Sequence, residues 1–444
     1  MNNINFTFKT ESIRSKITFG IYHLFLKVLF FFLKIFKKIL PIKIQKYLNE
    51  RQYPHLIWRK EPFINQRRIW FHAASGEVEY IKPLLKLWKM TYPEDLLFLT
   101  YFSTSALDLI PRIPDIDGWA TLPIDLPKPC QYFLEVLKPD ILIISRTDLW
   151  PTILKTFTSK PKILVASTWS EGSKKTQFLG RMMSQWCIPY LNKICVVNNE
   201  DLHWIKGNMH SPPEIIITGD PRFDQVRARL DQKRVLPANL TNWAQSPSTR
   251  VILAGSTWEP DEDILFESIT KVNLVNCRCI FVPHENTKDH LKMIQDKLNR
   301  LELPYLIWSE QNEKVIPTDI SILIFDEKGW LAELYQLADF AFIGGSFKKQ
   351  VHSVMEALGC GVPVLVGPYY KNNREAIEFS KLSHHTISFV KELENNSTHI
   401  AQCLNSYIKL EDSLLNEVKL KIRTEFMIRC GGTSKTFIQI QKLL

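Results

Sequence analysis

The sequence predicts an α/β protein with two doubly wound, parallel-sheet domains that follow a basic N-terminal helix. Two successive alternations of short apolar runs with longer helical patterns lead to this prediction, because parallel strands buried on both faces are almost continuously apolar. A chain of 444 residues is also longer than one compact core usually supports. Two such domains would form a ligand cleft between the carboxyl ends of their sheets.

The net charge of +10 is concentrated near the N-terminus. Residues 1–60 contain 12 Lys or Arg against Glu11 and Glu50, and basic and acidic residues balance in the rest of the chain. A basic globular surface is therefore not predicted, which argues against nucleic-acid binding. The eight cysteines lack CxxC spacing, so we expect reduced thiols, no disulfide framework and no metal site.

Residues 1–50 are predicted to be a basic amphipathic segment that associates with a membrane. At about 100° per residue, the polar side chains of a helix here lie on one stripe. They are Lys16, His23, Lys27, Lys34 and Lys38, with Lys37 at the edge. A helix in the membrane interface fits this pattern. A spanning helix is the main alternative, although a central lysine costs about 2.5–3.5 kcal/mol, and a core helix is a third. No small-residue cleavage site follows, so we do not expect a cleaved signal peptide.

The first domain is predicted over residues 51–235 and the second over residues 236–420. The first contains the strand candidates RRIWFHAAS, DLLFLTYFS, DILIISRT, KILVAST, KICVVNN and EIIITGD. The second contains RVILAGST, CRCIFVPHE, LPYLIWS, ISILIFDE, DFAFIGGS, VPVLVGP and HHTISFV. Pro, Asn and Ser in residues 231–249 favour a linker. Residues 421–444 are predicted to be helical and are a candidate to pack back on the first domain.

The stretch HAASGEVEY suggests a catalytic carboxylate. Ser75 and Gly76 allow a tight turn after a strand, and Glu77 would follow at the N-terminus of a helix. A carboxylate at that place in a cleft can accept a proton from a substrate hydroxyl. The alternative is that Glu77 only stabilises the start of the helix.

Two further loops are predicted to bind an anion. Ser256 and Thr257 follow a strand and precede Glu259 in an acidic first turn, where backbone and hydroxyl donors attract phosphate. An ordinary helix cap is the alternative. Gly344, Gly345 and Ser346 follow another strand, and their small size lets a ligand approach the backbone.

A helix is predicted to begin at Val351 and to carry His352 and Glu356 on one face, since they are four residues apart. Its N-terminus would attract phosphate, and Glu356 could bind both ribose hydroxyls, as acidic residues do in nucleotide-binding α/β folds. A solvent-facing helix with an incidental His and Glu is the alternative. Asp148 and Arg222 are weaker candidates, which could equally form a salt bridge between domains.

The order of HAASGE, DLWP, GDPRFD, AGSTWEPDED, VPHE, ELYQLADFAFIGGSF and HSVMEALGCGVPVLVGP resembles the bacterial 3-deoxy-D-manno-octulosonic acid (Kdo) transferases of lipopolysaccharide assembly. The resemblance covers roughly residues 40–440. It implies a GT-B fold, in which two Rossmann-like domains face a cleft. It also implies CMP-Kdo as donor, a lipid A precursor resembling lipid IVA as acceptor, and inverting transfer without a cofactor. The expected location is the cytoplasmic side of the bacterial inner membrane.

The same resemblance implies residue roles. Glu77 matches the family's general base, and Glu356 matches the acidic residue that holds the nucleotide ribose. Ser256, Thr257 and Glu259 match the phosphate loop, and Gly344, Gly345 and Ser346 match a second glycine loop. His284 replaces the family's Arg, and Arg222 stands where Lys is usual. A GT-B enzyme for another nucleotide sugar, or an inactive membrane-bound paralogue, is the alternative function.

Overall fold

The computed structural model describes residues 13–42, 45, 48, 50–51, 54–59, 63, 65–74, 76–103, 110–158, 160–169, 176–232, 234–246, 249–311 and 315–444. The chain forms two compact units. Unit 1 comprises Met1–Arg222 with Gly431–Leu444, and unit 2 comprises Phe223–Cys430. Both are α/β, as the sequence predicts.

Unit 1 contains an eight-stranded sheet in the order β1-β4-β3-β2-β5-β6-β7-β8. Its strands are β1 (Ile57–Trp58), β2 (Arg68–His72), β3 (Leu96–Tyr101), β4 (Gly118–Thr121), β5 (Ile141–Ser145), β6 (Lys162–Ser167), β7 (Lys193–Val196) and β8 (Glu214–Ile217). Only the edge pair of β1 with β4 is antiparallel. The sequence analysis did not predict β1 and β4, which are short.

Helices cover both faces of this sheet. In chain order they are α1 (Ile13–Ile35), α2 (Lys82–Thr91), α3 (Pro127–Leu137), α4 (Pro151–Thr156), α5 (Phe178–Cys187) and α6 (Asn199–Asn208). Successive strand residues point to opposite faces, so Trp70 packs on Phe133 while Phe71 packs on Trp88. Each face thus has its own aromatic core.

Unit 2 contains a seven-stranded, fully parallel sheet in the order β11-β12-β10-β9-β13-β14-β17. Its strands are β9 (Arg250–Thr257), β10 (Cys277–Pro283), β11 (Tyr305–Ile307), β12 (Ile322–Ile324), β13 (Phe340–Ile343), β14 (Val364–Val366) and β17 (Val390–Glu392). The pair β15 (Ser383–His384) and β16 (Ile387–Ser388) forms a separate hairpin.

The remaining helices follow the chain from the end of unit 1 through unit 2. They are α7 (Pro221–Asp231), α8 (Ala238–Ala244), α9 (Glu259–Ile269), α10 (Lys288–Arg300), α11 (Leu331–Leu334), α12 (Met355–Gly359), α13 (Arg374–Ser380), α14 (Ser397–Ile408) and α15 (Asp412–Ile428). The segment 231–249, whose composition favoured a linker, includes α8, and α8 buries Leu240 and Trp243 in the core of unit 2.

The last helix, α16 (Gly432–Gln441), belongs to unit 1. Phe437 packs edge-on against Trp88 of α2, with ring centroids 5.3 Å apart. Gly432 lies so close to the backbone of Asp220 that an added Cβ would be 2.9 Å from it. The chain therefore returns to complete the core of its first unit.

Each sheet has one topological switch point, where the strand order reverses direction. In unit 1 the neighbours β2 and β5 flank it, and in unit 2 the neighbours β9 and β13 flank it. Because the crossovers leave a crevice outside the carboxyl ends of these strands, open α/β sheets bind ligands there. The residues that follow these four strands are therefore the best candidates for a ligand site.

Candidate active site

A buried imidazole supports a carboxylate at the switch point of unit 1. His72 ends β2, and its Nε2 lies 2.8 Å from Oδ2 of Asp148. Its Nδ1 lies 2.9 Å from Oγ1 of Thr100 on the neighbouring strand. The side chain of His72 is 3% exposed, whereas that of Asp148 is 21% exposed. Asp148 is thus held in a fixed orientation and is partly exposed to solvent.

Glu77 lies in a 3-10 turn, Gly76–Tyr80, that follows β2. The Oγ of Ser145, the last residue of β5, donates to the backbone oxygen of Glu77 over 3.0 Å. The turn is therefore fixed to the end of β5. A Cβ at Gly76 would meet nothing within 4 Å, so this part of the turn is open. Ser75, the other residue predicted here, lies outside the described residues.

Two guanidinium groups flank one aromatic ring in unit 1. Arg146 lies 4.8 Å and Arg222 lies 4.2 Å from the ring centroid of Tyr80. Arg222 also binds both carboxylate oxygens of the buried Asp220, with its Nη2 2.6 Å from Oδ2. Tyr80 was not predicted as a site residue. Because a 3-10 helix has three residues per turn, its spacing from Glu77 already placed both on one side of the turn.

Arg146 follows β5 with a φ of 61°. A non-glycine residue in this left-handed region is uncommon, and such strain of about 1–3 kcal/mol often accompanies function. Ser256, at the end of β9, has a φ of 56°. Each switch point thus has one strained non-glycine residue.

In unit 2 the two predicted loops lie directly against each other. A Cβ added to Gly344 would lie 2.1 Å from the backbone oxygen of Ser256. The amide of Gly344 donates to the backbone oxygen of Gly255 over 2.9 Å. Gly345 has a φ of 81°, a conformation that glycine adopts without strain. The glycines therefore allow the loop after β13 to pack onto the loop after β9.

Asp261 links these two loops by hydrogen bonds. Its carboxylate accepts from the amides of Gly345 (2.7 Å), Phe347 (2.9 Å) and Trp258 (2.9 Å). Burial raises the pKa of Asp261, although the three amides and Lys348 act in the opposite direction. The sequence analysis treated Asp261 only as part of an acidic first turn, because its bonds to residues 84 positions or more away leave no local signal.

Thr257 and Glu259 occupy different surroundings. The Oγ1 of Thr257 donates to the buried Glu262 over 2.8 Å, and Glu262 pairs with Nε2 of His290 at 2.9 Å. Burial raises the pKa of Glu262, and His290 lowers it. Glu259 is half-exposed and lies 3.8 Å from Nζ of Lys297. The hydroxyl of Thr257 therefore faces the interior of unit 2, and its backbone oxygen accepts from the amide of His284 over 2.9 Å.

Ser346 is fully buried. Its Oγ donates to the backbone oxygen of Ile343 and accepts from the amide of Gly367, both over 2.8 Å. The predicted helix after this loop begins at Met355 rather than at Val351. The backbone oxygens of Val351 and His352 accept from the side-chain amides of Asn372 and Asn373 instead of from amides one helical turn later. His352 and Glu356 consequently do not share a helix face.

Glu356 lies in the first turn of α12. Its Oε2 accepts from Oγ of Ser353 over 2.9 Å, and its Oε1 lies 3.7 Å from Nη1 of Arg229. Its side chain is 22% exposed. Part of the carboxylate thus remains accessible for a ribose.

Three aromatic rings stack beside the glycine loops. His284 stacks on Trp258, with ring centroids 4.6 Å apart, and on His352 at 4.4 Å. The Nζ of Lys348 lies 3.4 Å from the ring centroid of Trp258. Burial is the main cause that lowers the pKa of both imidazoles, to about 4 for His352. Trp258 was not a predicted site residue.

One cluster among the described residues has donor atoms suited to a metal ion. His384 and His385 in the β15–β16 hairpin meet Glu417 of α15, with the ligand atoms within 4.8 Å of one another. Imidazole and carboxylate are ligands for zinc and related ions. Nevertheless, the cluster contains none of the switch-point residues.

A comparison with known proteins supports a specific family. Residues 46–225 match the model of the 3-deoxy-D-manno-octulosonic-acid transferase (kdotransferase) family. A 3-deoxy-D-manno-octulosonic acid transferase of Rickettsia typhi is 26% identical over 362 residues, which is 80% of this chain and 76% of the relative. The enzyme of the same name from Chlamydia muridarum is 25% identical and covers 73% and 75%. This chain is thus similar to Kdo transferases over most of its length.

The fold agrees with this similarity. A glycosyltransferase structure from Rickettsia africae matches with a TM-score of 0.53 and 14% sequence identity, over 85% of this chain and 98% of that chain. Such a likeness shows the fold, which is GT-B with two Rossmann-like units. The family model and the relatives, rather than this structure, support a glycosyltransferase enzyme.

Proposed function

We propose that the protein transfers Kdo from CMP-Kdo to a sugar hydroxyl of a lipid A precursor during lipopolysaccharide assembly, with inversion at the anomeric carbon. The observation that carries this proposal is the packing of the Ser256–Thr257 and Gly344–Gly345 loops at the switch point of unit 2, in a chain similar to Kdo transferases. The small glycines let a phosphate approach the loop backbone, and CMP-Kdo has a single phosphate.

In the proposed reaction, Glu77 removes the proton of the acceptor hydroxyl, and the oxygen attacks the anomeric carbon as the bond to the CMP phosphate breaks. The leaving CMP takes the bonding electron pair. Lys348 stabilises the charge that develops on its phosphate. The ribose would lie against Glu356. Asp148 is proposed to bind the acceptor, since its partly exposed carboxylate is fixed by His72.

The properties of helix α1 support a location at a membrane surface. Residues Phe19–Ile39 are long and apolar enough to cross a membrane, with 11% of the most apolar window buried. Tyr22 donates to Asp125 and His23 contacts Thr152 of the same unit, both over 2.9 Å. His23, which was predicted on the polar stripe of the helix, therefore faces protein. The side chain of Lys16 lies outside the described residues.

The opposite face of α1 is apolar and exposed. Its side chains include Ile21, Leu24, Phe25, Val28, Phe31, Phe32 and Ile35. At about 100° per residue, Lys27, Lys34 and Lys38 run along one edge of this face. A helix held on the protein by one side and apolar on the other suits burial in the lipid interface better than spanning. We propose that this face rests on the cytoplasmic side of the inner membrane.

The membrane proposal can be tested by flotation with vesicles that contain anionic lipid. Leu24→Glu with Phe31→Glu should abolish co-flotation, because both charges enter the apolar face. Lys27→Gln with Lys34→Gln should only weaken it and remove its salt dependence. Equal flotation of all three proteins would contradict the proposed orientation of α1.

The reaction is tested by release of CMP. Purified protein is incubated with a lipid A precursor and CMP-Kdo made in situ, and parallel samples contain UDP-sugars. The proposal predicts CMP release only when donor and acceptor are both present. Turnover of a UDP-sugar alone would favour the alternative GT-B transferase, and no turnover of any donor would favour an inactive paralogue.

A further inference from the structure

The stacked rings of Trp258, His284 and His352 determine the protonation of one imidazole. The indole Nε1 of Trp258 lies 2.8 Å from Nε2 of His352. An indole nitrogen can only donate a hydrogen bond, so Nε2 must accept and carries no proton. The proton of the neutral imidazole is therefore on Nδ1.

Every neighbour in the stack opposes a second proton on His352. An imidazolium would direct an Nε2–H at the indole N–H of Trp258, and both groups would be donors. Burial, His284 and Lys348 together lower the pKa of His352. Burial lowers the pKa of His284, Glu285 raises it, and Lys348 and Lys328 lower it further. His352 thus remains neutral at physiological pH.

The ring of His352 is fixed at the edge of the glycine loop. Its backbone amide donates to Gly344 over 3.1 Å, and its backbone oxygen accepts from Nδ2 of Asn373 over 3.1 Å. A Cβ at Gly345 would lie 3.2 Å from Cδ2 of the ring. Within the described part of the chain, Nδ1 has no hydrogen-bond partner, which leaves one oriented donor for a ligand.

We propose that Trp258 is a positioning residue, which fixes His352 as a neutral Nδ1–H donor to a phosphoryl oxygen of the bound nucleotide. The choice of nucleotide as ligand rests on the proposed function, whereas the tautomer does not. Lys348 supplies the positive charge that attracts the phosphate, and the Nδ1–H of His352 supplies a hydrogen bond of fixed direction. Nucleotide binding should consequently depend little on His352 titration between about pH 5.5 and 7.5, one unit either side of an ordinary histidine pKa.

The first test needs no nucleotide. Protein labelled with ¹⁵N-histidine is titrated by NMR, and His352→Gln assigns the signal. We expect the Nδ1–H tautomer and no titration of His352 down to about pH 5. An Nε2–H tautomer, or titration near the ordinary value of 6.5, would overturn the inference whatever the protein binds.

The second test uses Trp258→Phe, which keeps a stacking ring and removes the N–H. His352 should then titrate at higher pH. Calorimetry with CMP should show about threefold to tenfold weaker binding than wild type near pH 7.5, because the tautomer is no longer fixed. Near pH 5.5 the difference should shrink or reverse, because an imidazolium attracts phosphate.

Trp308→Phe is the matched control, because Trp308 also stacks on an aromatic ring in unit 2, at 5.2 Å from Phe325. Its CMP affinity should equal that of wild type at both pH values. Because CMP itself is protonated to the same extent in all samples, the comparison also corrects for that effect. An unchanged pH profile in Trp258→Phe would overturn the positioning role. Failure of wild type to bind CMP, with the expected NMR result, would instead contradict the proposed donor.

Discussion

The two switch points have the same topology but offer a ligand different chemistry. In unit 1, side chains provide the polar groups, among them Glu77, Asp148 and the arginines on Tyr80. In unit 2, two loops pack closely because the amides of Gly345 and Phe347 donate to the carboxylate of Asp261, and Lys348 supplies a positive charge beside them. This difference is the basis for the proposed division, with proton transfer in unit 1 and phosphate binding in unit 2.

The largest expected effect is that of Gly344→Ala. The new methyl group would lie 2.1 Å from the backbone oxygen of Ser256, so one loop must move. We expect a loss of about 3 kcal/mol in the free energy of unfolding and CMP binding at least about tenfold weaker.

Gly76→Ala is the matched change at the switch point of unit 1, where a Cβ meets nothing within 4 Å. Thermal and urea unfolding should show a change of less than about 1 kcal/mol. If both variants lose the same stability, the contrast between an open turn and a closed loop is wrong.

Asp261→Asn should have a smaller but clear effect. The amide retains only one acceptor oxygen for the amides that Asp261 now binds, which should cost about 2 kcal/mol. CMP affinity should fall severalfold, because the glycine loop loses its support. Asp263→Asn, which removes an exposed charge beside Lys297, should cost less than about 1 kcal/mol. Calorimetry with CMP that shows equal affinity for both variants would refute the role of Asp261.

Asp148→Asn should affect only the other half of the reaction. We expect the KM for the lipid acceptor to rise about tenfold, as for the loss of one charged hydrogen bond, while CMP affinity is unchanged. Glu79→Gln, which alters an exposed carboxylate paired with Lys82, should leave both constants nearly as they are. A loss of CMP affinity in Asp148→Asn would remove the proposed division between the units.

The sequence predicted most of the strands because each is a short apolar run that ends in a distinctive loop. The glycines at 344 and 345 were also visible, since close backbone approach requires them. Asp261 was not recognised, because its partners are distant in sequence. In the sequence, Trp258 was only an aromatic residue before a helix. Its contact with His284 and His352 exists only in the folded protein. The helix predicted from Val351 starts later because tertiary hydrogen bonds to the backbone override local propensity there.

The central claim is that the protein transfers Kdo with Glu77 as the general base. Mass spectrometry of the lipid after incubation with CMP-Kdo and a lipid A precursor tests it most directly. Wild type and Glu79→Gln should each add at least one Kdo mass to the acceptor. Glu77→Gln should reduce the rate of product formation by about 10²-fold or more, with CMP binding retained. Product at the wild-type rate from Glu77→Gln, or no Kdo adduct from wild type, would contradict the claim.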